Sequence, residues 1–273
     1  MSDVVERTEL LTAGPAEALS GLLGVPMPDA AAGLPLLWHW IYLLDRPAQA
    51  DLGPDGHPIR NTVPEPPGPG RRRMWAGGRV RNRGNLVLGE IATRRTKVVS
   101  VQEKSGRSGK LTFVTVGHQI LQGDSIVVDE RQDIVYRDAV STTSPRSEPA
   151  ADPAEVPLAP GEWRIDVSPT LLFRFSALTY NGHRIHYDRD YAREVEGYPG
   201  LLVHGPLQAL AMAEAARALG HTGDQVFDYR LQSPLFDHQG MIVATDADDE
   251  ATTTAVRDAT GRQTATGSIT APR

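Results

Sequence analysis

The chain has 273 residues, 40% hydrophobic and 23% charged, with a formal net charge of -6. That length fits one large domain or two of roughly 120–150 residues, and the acidic balance makes it a poor candidate for non-specific nucleic-acid binding. Without a cysteine, disulfides, thiolate nucleophiles and zinc–thiolate sites are excluded.

No run approaches the roughly 20 apolar residues of a membrane span. The acidic, polar stretch 1–11 does not read as a secretory signal, so the cytoplasm is the expected location, with no membrane partner. Residues 2–24 carry helical spacing in two pieces, Val5, Leu10 and Leu11, then Leu19, Leu22 and Leu23, divided at Gly14-Pro15. The apolar run 36–44 reads as a buried strand. Residues 45–70, rich in Pro and Gly, form a long loop of the kind that often carries function.

From 79 to 137, β-type runs at 86–88, 96–101, 111–116 and 126–128 alternate with turns, and 103–110 reads as a hairpin turn. A linker rich in Pro, Ala, Ser and Glu spans 141–162. It divides an N-terminal unit, 1–140, from a C-terminal unit, 163–273.

In the second unit, 171–178 reads as a strand, and 188–196 as a short helix capped by Asp188 and followed by Gly197. His204-Gly205-Pro206 opens a stronger helix that Gly220 stops. Strands follow near 225–232, 239–246, 251–258 and 262–270. A faint echo relates 81–116 to 230–269: Arg81, Leu86, Gly89 and Ile91 against Arg230, Leu235, Gly240 and Ile242, with the turn at 106–109 set against Thr260-Gly261.

The stretches 175–188 and 198–207 carry the chemistry. The first reads as a strand ending in the Asn181-Gly182 turn, which lifts Asn181, His183 and His186 out of the sheet. The second reads as a tight turn at Pro199-Gly200, a short strand, then the helix start. A helix start presents unpaired N–H groups and a partial positive charge. With no side chain at Gly205, it can hold a carbonyl oxygen that becomes negative during reaction. His186 has an ordinary pKa suited to moving protons. Addition of water to an α,β-unsaturated thioester needs both parts.

These two stretches resemble the hydratase motif of MaoC-like hotdog proteins, most closely the double hotdog branch of FAS1-like dehydratases. That branch includes hydroxyacyl-thioester dehydratase type 2 and mesaconyl- or itaconyl-CoA hydratases. Arg71-Arg72-Arg73-Met74-Trp75-Ala76-Gly77-Gly78-Arg79 and the segment 103–111 are similar to its recurrent N-terminal segments. The resemblance covers roughly 70–245. It implies an α+β double hotdog, each antiparallel sheet wrapped around a helix, with the C-terminal unit catalytic and the N-terminal one not. The implied reaction is hydration or dehydration of an acyl thioester, a CoA ester being the expected partner and a branched C5 dicarboxyl-CoA a candidate. By analogy alone the chain is expected to be a homodimer.

One position departs from the motif: Asn181 stands where MaoC-like proteins have Asp. Neutral Asn cannot accept a proton, though it can hold a water. The expected catalytic set is therefore His186 as base, Asn181 orienting water and the Gly205 N–H on the carbonyl. His183, His204, Arg71, Arg72, Arg73 and Trp75 are candidates for binding substrate. The arginines suit phosphates or a carboxylate, although such a run is often a solvated face. Asp188 reads as a helix cap rather than an acid.

No metal is expected at His183 and His186, because no third ligand stands nearby in sequence. No Walker- or Rossmann-type loop is present, so no cofactor is implied. A hotdog thioesterase and a non-catalytic acyl-thioester binding module are the alternative readings.

Overall fold

In the computed structural model, residues 4–29, 32–68, 71–106, 109–138, 154–247 and 251–272 are described. The N-terminal half runs β1 (Val5–Leu10), α1 (Ala13–Leu23), 3₁₀ turns at Trp38–Ile41 and Gln49–Asp51, β2 (Arg71–Asn82), β3 (Ile91–Gly106), β4 (Gly109–Gln122) and β5 (Ser125–Asp138). The C-terminal half runs β6 (Glu162–Ile165), α2 (Pro169–Leu178), a 3₁₀ turn at Arg184–His186, a π-helical turn at Tyr191–Val195, α3 (Gly205–Ala218), β7 (Gln225–Leu231), β8 (Met241–Ala247), β9 (Ala251–Arg257) and β10 (Gln263–Thr270).

All ten strands join in one sheet of order β1-β3-β4-β5-β2-β7-β10-β9-β8-β6, and every pairing is antiparallel. Read inward from either edge, the order 1-3-4-5-2 repeats as 6-8-9-10-7, so the halves are topological copies. They meet where β2 pairs β7, from Gly77 opposite Arg230 to Asn82 opposite Gln225. That seam covers an edge strand of each half. The architecture is the expected α+β one. The echo is correct where Ile91 opens β3 and Ile242 lies at the start of β8. It slips by one hairpin at its end, because the turn between β3 and β4 matches the one between β8 and β9, whereas Thr260-Gly261 joins β9 to β10.

Helix α3 lies against β8, β9 and β10. Leu207, Leu210 and Met212 are buried together with Ala209, Ala211, Ala213, Ala215 and Ala216. A helix apolar nearly all round belongs inside a fold, and the small alanines let the sheet close around it. At the equivalent point in chain order, between α1 and β2, the described residues of the N-terminal half form two short 3₁₀ turns, Trp38–Ile41 and Gln49–Asp51, and no long helix. Fully buried Leu37, Trp38, Tyr42 and Leu43 fill the space there. Trp38 Nε1 donates to Glu214 Oε1 of α3 at 2.8 Å and ties this turn to the other half.

Several local expectations are corrected. The first apolar piece is strand β1, not helix, because its side chains pair across β3: Glu6 opposite Arg95 forms an ion pair at 2.7 Å and Thr8 bonds Thr93 at 2.9 Å. Such cross-strand pairs stabilise sheets. The run 36–44 is a turn, since Leu37 (φ 70) and Leu43 (φ 54) leave the extended region.

Residues 171–178 belong to helix α2. Ser168 caps it by accepting from Leu171 N, Pro169 starts it, and Leu172, Phe175 and Ser176 form its buried face at helical spacing. Residues 86–88 are not a strand; the Gln122 side chain bonds both the N–H and the C=O of Val87 at 2.8 Å. Of the expected linker, 141–153 lie outside the described residues, as do 107–108 of the hairpin turn.

Candidate active site

The 175–188 stretch turns its polar residues inward through a helix end. After α2 stops at Thr179, Tyr180 takes φ 52, a left-handed conformation that costs a non-glycine residue about 1–2 kcal/mol. Asn181 N then bonds back to Ser176 O at 2.8 Å. Asn181 Oδ1 accepts from His183 N at 3.0 Å, an Asx-type turn that does not use its NH₂ group. His186 follows in the next 3₁₀ turn.

Asn181, His183, His186 and Gly205 line a cavity of about 1800 Å³ that both halves wall. His186 Nδ1 lies 2.7 Å from Leu202 O. A carbonyl can only accept, so Nδ1 carries the proton and Nε2 is the basic nitrogen. Burial lowers the His186 pKa from 6.5 to about 4, despite the Leu202 carbonyl acting in the opposite direction. The ring is therefore neutral at pH 7, the form a base requires. Burial also depresses His183 and His204, in both cases well below the ordinary value.

His204 is only 1% exposed and does not line the cavity. This corrects its expected place against the substrate. Its ring stacks on His186 at 3.7 Å between centroids and 17° between planes, and its Nε2 bonds Ser176 Oγ at 2.8 Å. It holds the His186 ring from behind.

Gly205 begins α3, whose N-terminus has no side-chain cap, and it lines the cavity. A Cβ at this position would lie 2.2 Å from Leu231 Cδ1. Close packing and an open helix mouth thus both call for glycine here. Asp188 behaves as the expected cap: its Oδ1 accepts from Tyr191 N at 3.0 Å and its Oδ2 pairs with Arg184 at 2.8 Å.

The three arginines begin β2, and all line the cavity. Arg71 is engaged by Lys110 O, Thr112 Oγ1 and Tyr136 O at 3.1–3.3 Å. Arg72 pairs with Glu196 at 2.9 Å. Among the described residues no carboxylate pairs with Arg73, whose charge acts on His57, His183 and Tyr136. Trp75 also lines the cavity and donates from Nε1 to Tyr229 OH at 2.9 Å across the seam.

Asp55 and His57 also line the cavity, and neither stands out in the sequence. They sit in the long loop of the N-terminal half, more than a hundred residues from His183, with only the turn chemistry of Gly53-Pro54-Asp55-Gly56 to mark them. The His57 ring lies 3.9 Å from that of His183. Asp55, His57 and His183 bring their ligand atoms within 4.8 Å of one another. The two rings face each other more closely than two imidazoles bound edge-on to one ion, and Arg73 adds positive charge. This arrangement suits an acid–base cluster better than a cation site.

The model of the family described as hydroxyacyl-thioester dehydratase type 2 matches residues 37–237. The chain belongs to this family. It is 49% identical over 214 residues to a mesaconyl-C(4)-CoA hydratase of Chloroflexus aurantiacus, covering 77% of this chain and 74% of that one. Its fold is shared with a solved MaoC-like dehydratase at a TM-score of 0.72 and 14% identity, covering 100% of this chain and 98% of that one. It is shared also with a Mycobacterium tuberculosis protein described as having a double hotdog fold, at a TM-score of 0.56 and 17% identity, covering 98% and 94%. As a member of the family the chain is a hydro-lyase of acyl thioesters, built as a double hotdog. No helix among the described residues is long and apolar enough to cross a membrane.

Proposed function

We propose that the chain adds water reversibly to the carbon–carbon double bond of an α,β-unsaturated acyl-CoA, with His186 as the base. The observation that carries this reading is the neutral, buried His186, its tautomer set by Leu202 O, in one cavity with the open mouth of α3. The Gly205 N–H receives the thioester carbonyl, and the Asn181 NH₂ group holds the water beside Cβ. As water oxygen bonds Cβ, its proton passes to His186 Nε2 and the double-bond electrons move toward the carbonyl. The helix mouth stabilises the resulting enolate-like oxygen. Return of the proton to Cα completes hydration, and dehydration is the reverse.

The acyl group we propose carries a second carboxylate, as in a C5 dicarboxyl-CoA. Two features support this. Arg73 has no carboxylate partner among the described residues, and a relative at 49% identity is a mesaconyl-C(4)-CoA hydratase. A guanidinium suits such a carboxylate, which it can bind through two hydrogen bonds. In this reading the C-terminal half, 163–273, carries the base. The protein works as a cytoplasmic homodimer.

Crotonyl-CoA and a mesaconyl-type CoA, followed together for enoyl absorbance and free thiol, test the reading. Loss of absorbance without thiol is expected. Release of thiol indicates a thioesterase, and no change with either substrate indicates a binding module.

A further inference from the structure

A buried base that takes a proton must carry a positive charge in the protein until the proton leaves. A nearby carboxylate lowers that cost. At the motif position five residues before His186, this chain has neutral Asn181. Beyond the Leu202 carbonyl on Nδ1, the neighbours of His186 add no negative charge: His57 and His183 line the cavity with it, His204 lies behind it, and Arg73 is cationic.

Among the described residues four carboxylates line the cavity: Asp45, Asp55, Glu130 and Glu196. Asp45 is held by Arg7 and Arg94, Glu130 by His39 and Trp40, and Glu196 by Arg72. Asp55 alone of the four has no arginine side chain and no tryptophan on it among the described residues. Its partner is His57: Oδ1 accepts from His57 N at 3.0 Å, and Oδ2 lies 3.5 Å from the buried His57 Nδ1, an ion-pair contact too long for a hydrogen bond. Burial favours the protonated acid, but the His57 contacts outweigh it, and the Asp55 pKa is lowered.

The placement is built into the fold. Gly53 N bonds His57 O at 2.7 Å and Gly56 N bonds Gly53 O at 3.0 Å, closing a tight turn. Arg184 grips that turn twice, through its backbone N to Asp55 O at 2.9 Å and through Nη1 to Pro54 O at 3.1 Å. Gly56 has φ +85, and a Cβ on it would lie 1.9 Å from Gly182 O. The turn therefore docks glycine-first on the segment that carries Asn181 and His183. From there the rings run inward: His57 to His183 at 3.9 Å, His183 to His186 at 5.4 Å.

We propose that Asp55 and His57, supplied by the N-terminal half, are a positioning pair for the catalytic centre and replace the carboxylate missing at position 181. Asp55 orients the His57 ring and offsets the positive charge that builds on the imidazole cluster when His186 takes the proton of water. The proposal rests on the hydratase reading above. It also changes the role of the N-terminal half, which walls the acyl pocket and in addition completes the proton machinery.

The test is Asp55→Asn, with Asp55→Glu and His57→Gln beside it, in the full-length protein. An asparagine Oδ1 still accepts from His57 N, so the turn keeps its shape, while the charge is lost and an NH₂ donor replaces the Oδ2 acceptor facing His57 Nδ1. Asp55→Asn is expected to lower kcat about 10–100-fold with KM within about threefold. The acid limb of kcat/KM should move to lower pH, because removal of a negative charge makes the neighbouring imidazoles harder to protonate. Asp55→Glu should restore part of kcat.

Imidazole NMR gives a readout free of turnover: neutral His57 should carry its proton on Nδ1 in the wild type and lose that preference in Asp55→Asn. A kcat within twofold of wild type, or a rise in KM alone with an unmoved acid limb, overturns the proposal. If Asp55→Asn does not fold, His57→Gln is judged by the same kcat and KM criteria. A wild type that turns over neither thioester contradicts the hydratase reading, while the His57 tautomer still decides the pairing.

Discussion

A buried neutral histidine leaves a signature in the pH dependence of folding. His186 has a pKa of about 4 in the fold against 6.5 when exposed. At about 1.4 kcal/mol per pH unit, that gap amounts to about 3 kcal/mol. The unfolded chain takes the proton first. The contribution is therefore complete above pH 6.5 and is lost as the pH falls through the folded value near 4.

In His186→Gln, the amide can still donate to Leu202 O but cannot titrate. Urea unfolding at roughly pH 7.5 and pH 4.5 reads the difference. Wild type should lose about 2–3 kcal/mol more than the variant over that interval. His57, His183 and His204 also have lowered pKa values, chiefly from burial, and they add to the loss in both proteins. Equal pH dependence in wild type and variant would refute a buried, neutral His186.

Other substitutions probe the remaining parts. Gly205→Ala places a Cβ against Leu231 at the helix mouth; it should lower stability by about 1–3 kcal/mol in thermal melts and reduce kcat more than it raises KM. Arg73→Gln should raise KM about 10–100-fold for a dicarboxyl acyl-CoA and less than threefold for crotonyl-CoA, measured side by side. Ser176→Ala removes the partner of His204 Nε2 while His204 Nδ1 is already buried without one. It should cost about 1–3 kcal/mol in urea unfolding.

The sequence was most legible where local chemistry and tertiary packing agree. Gly205-Pro206 opens α3, Gly220 ends it, and the four C-terminal strands fall close to where alternation and turn residues put them. It was least legible where distant contacts decide. The 171–178 stretch is apolar enough for a strand, but Ser168-Pro169 and the burial of Leu172, Phe175 and Ser176 make it a helix. Residues 71–79, noted for their arginines and their family likeness but given no strand, belong to the seam strand, which β5 pairs along its length and β7 pairs from Gly77 to Asn82.

At the site, the residues close in sequence to His186 were found, since one turn presents them. His204 was misplaced because sequence shows that it is next to Gly205 but not that its ring lies behind His186. Asp55 and His57 were missed because only the folded loop brings them to His183. The Gly53-Pro54-Asp55-Gly56 turn signal was present, but turn residues are common in loops, and nothing local shows which ones meet a distant site.

The proposed chemistry depends most directly on the imidazole at 186. The decisive measurement is kcat/KM of folded His186→Ala against wild type on the thioester that wild type hydrates best. A fall of about 10²–10⁴-fold is predicted for loss of a general base; a value within threefold of wild type would contradict it.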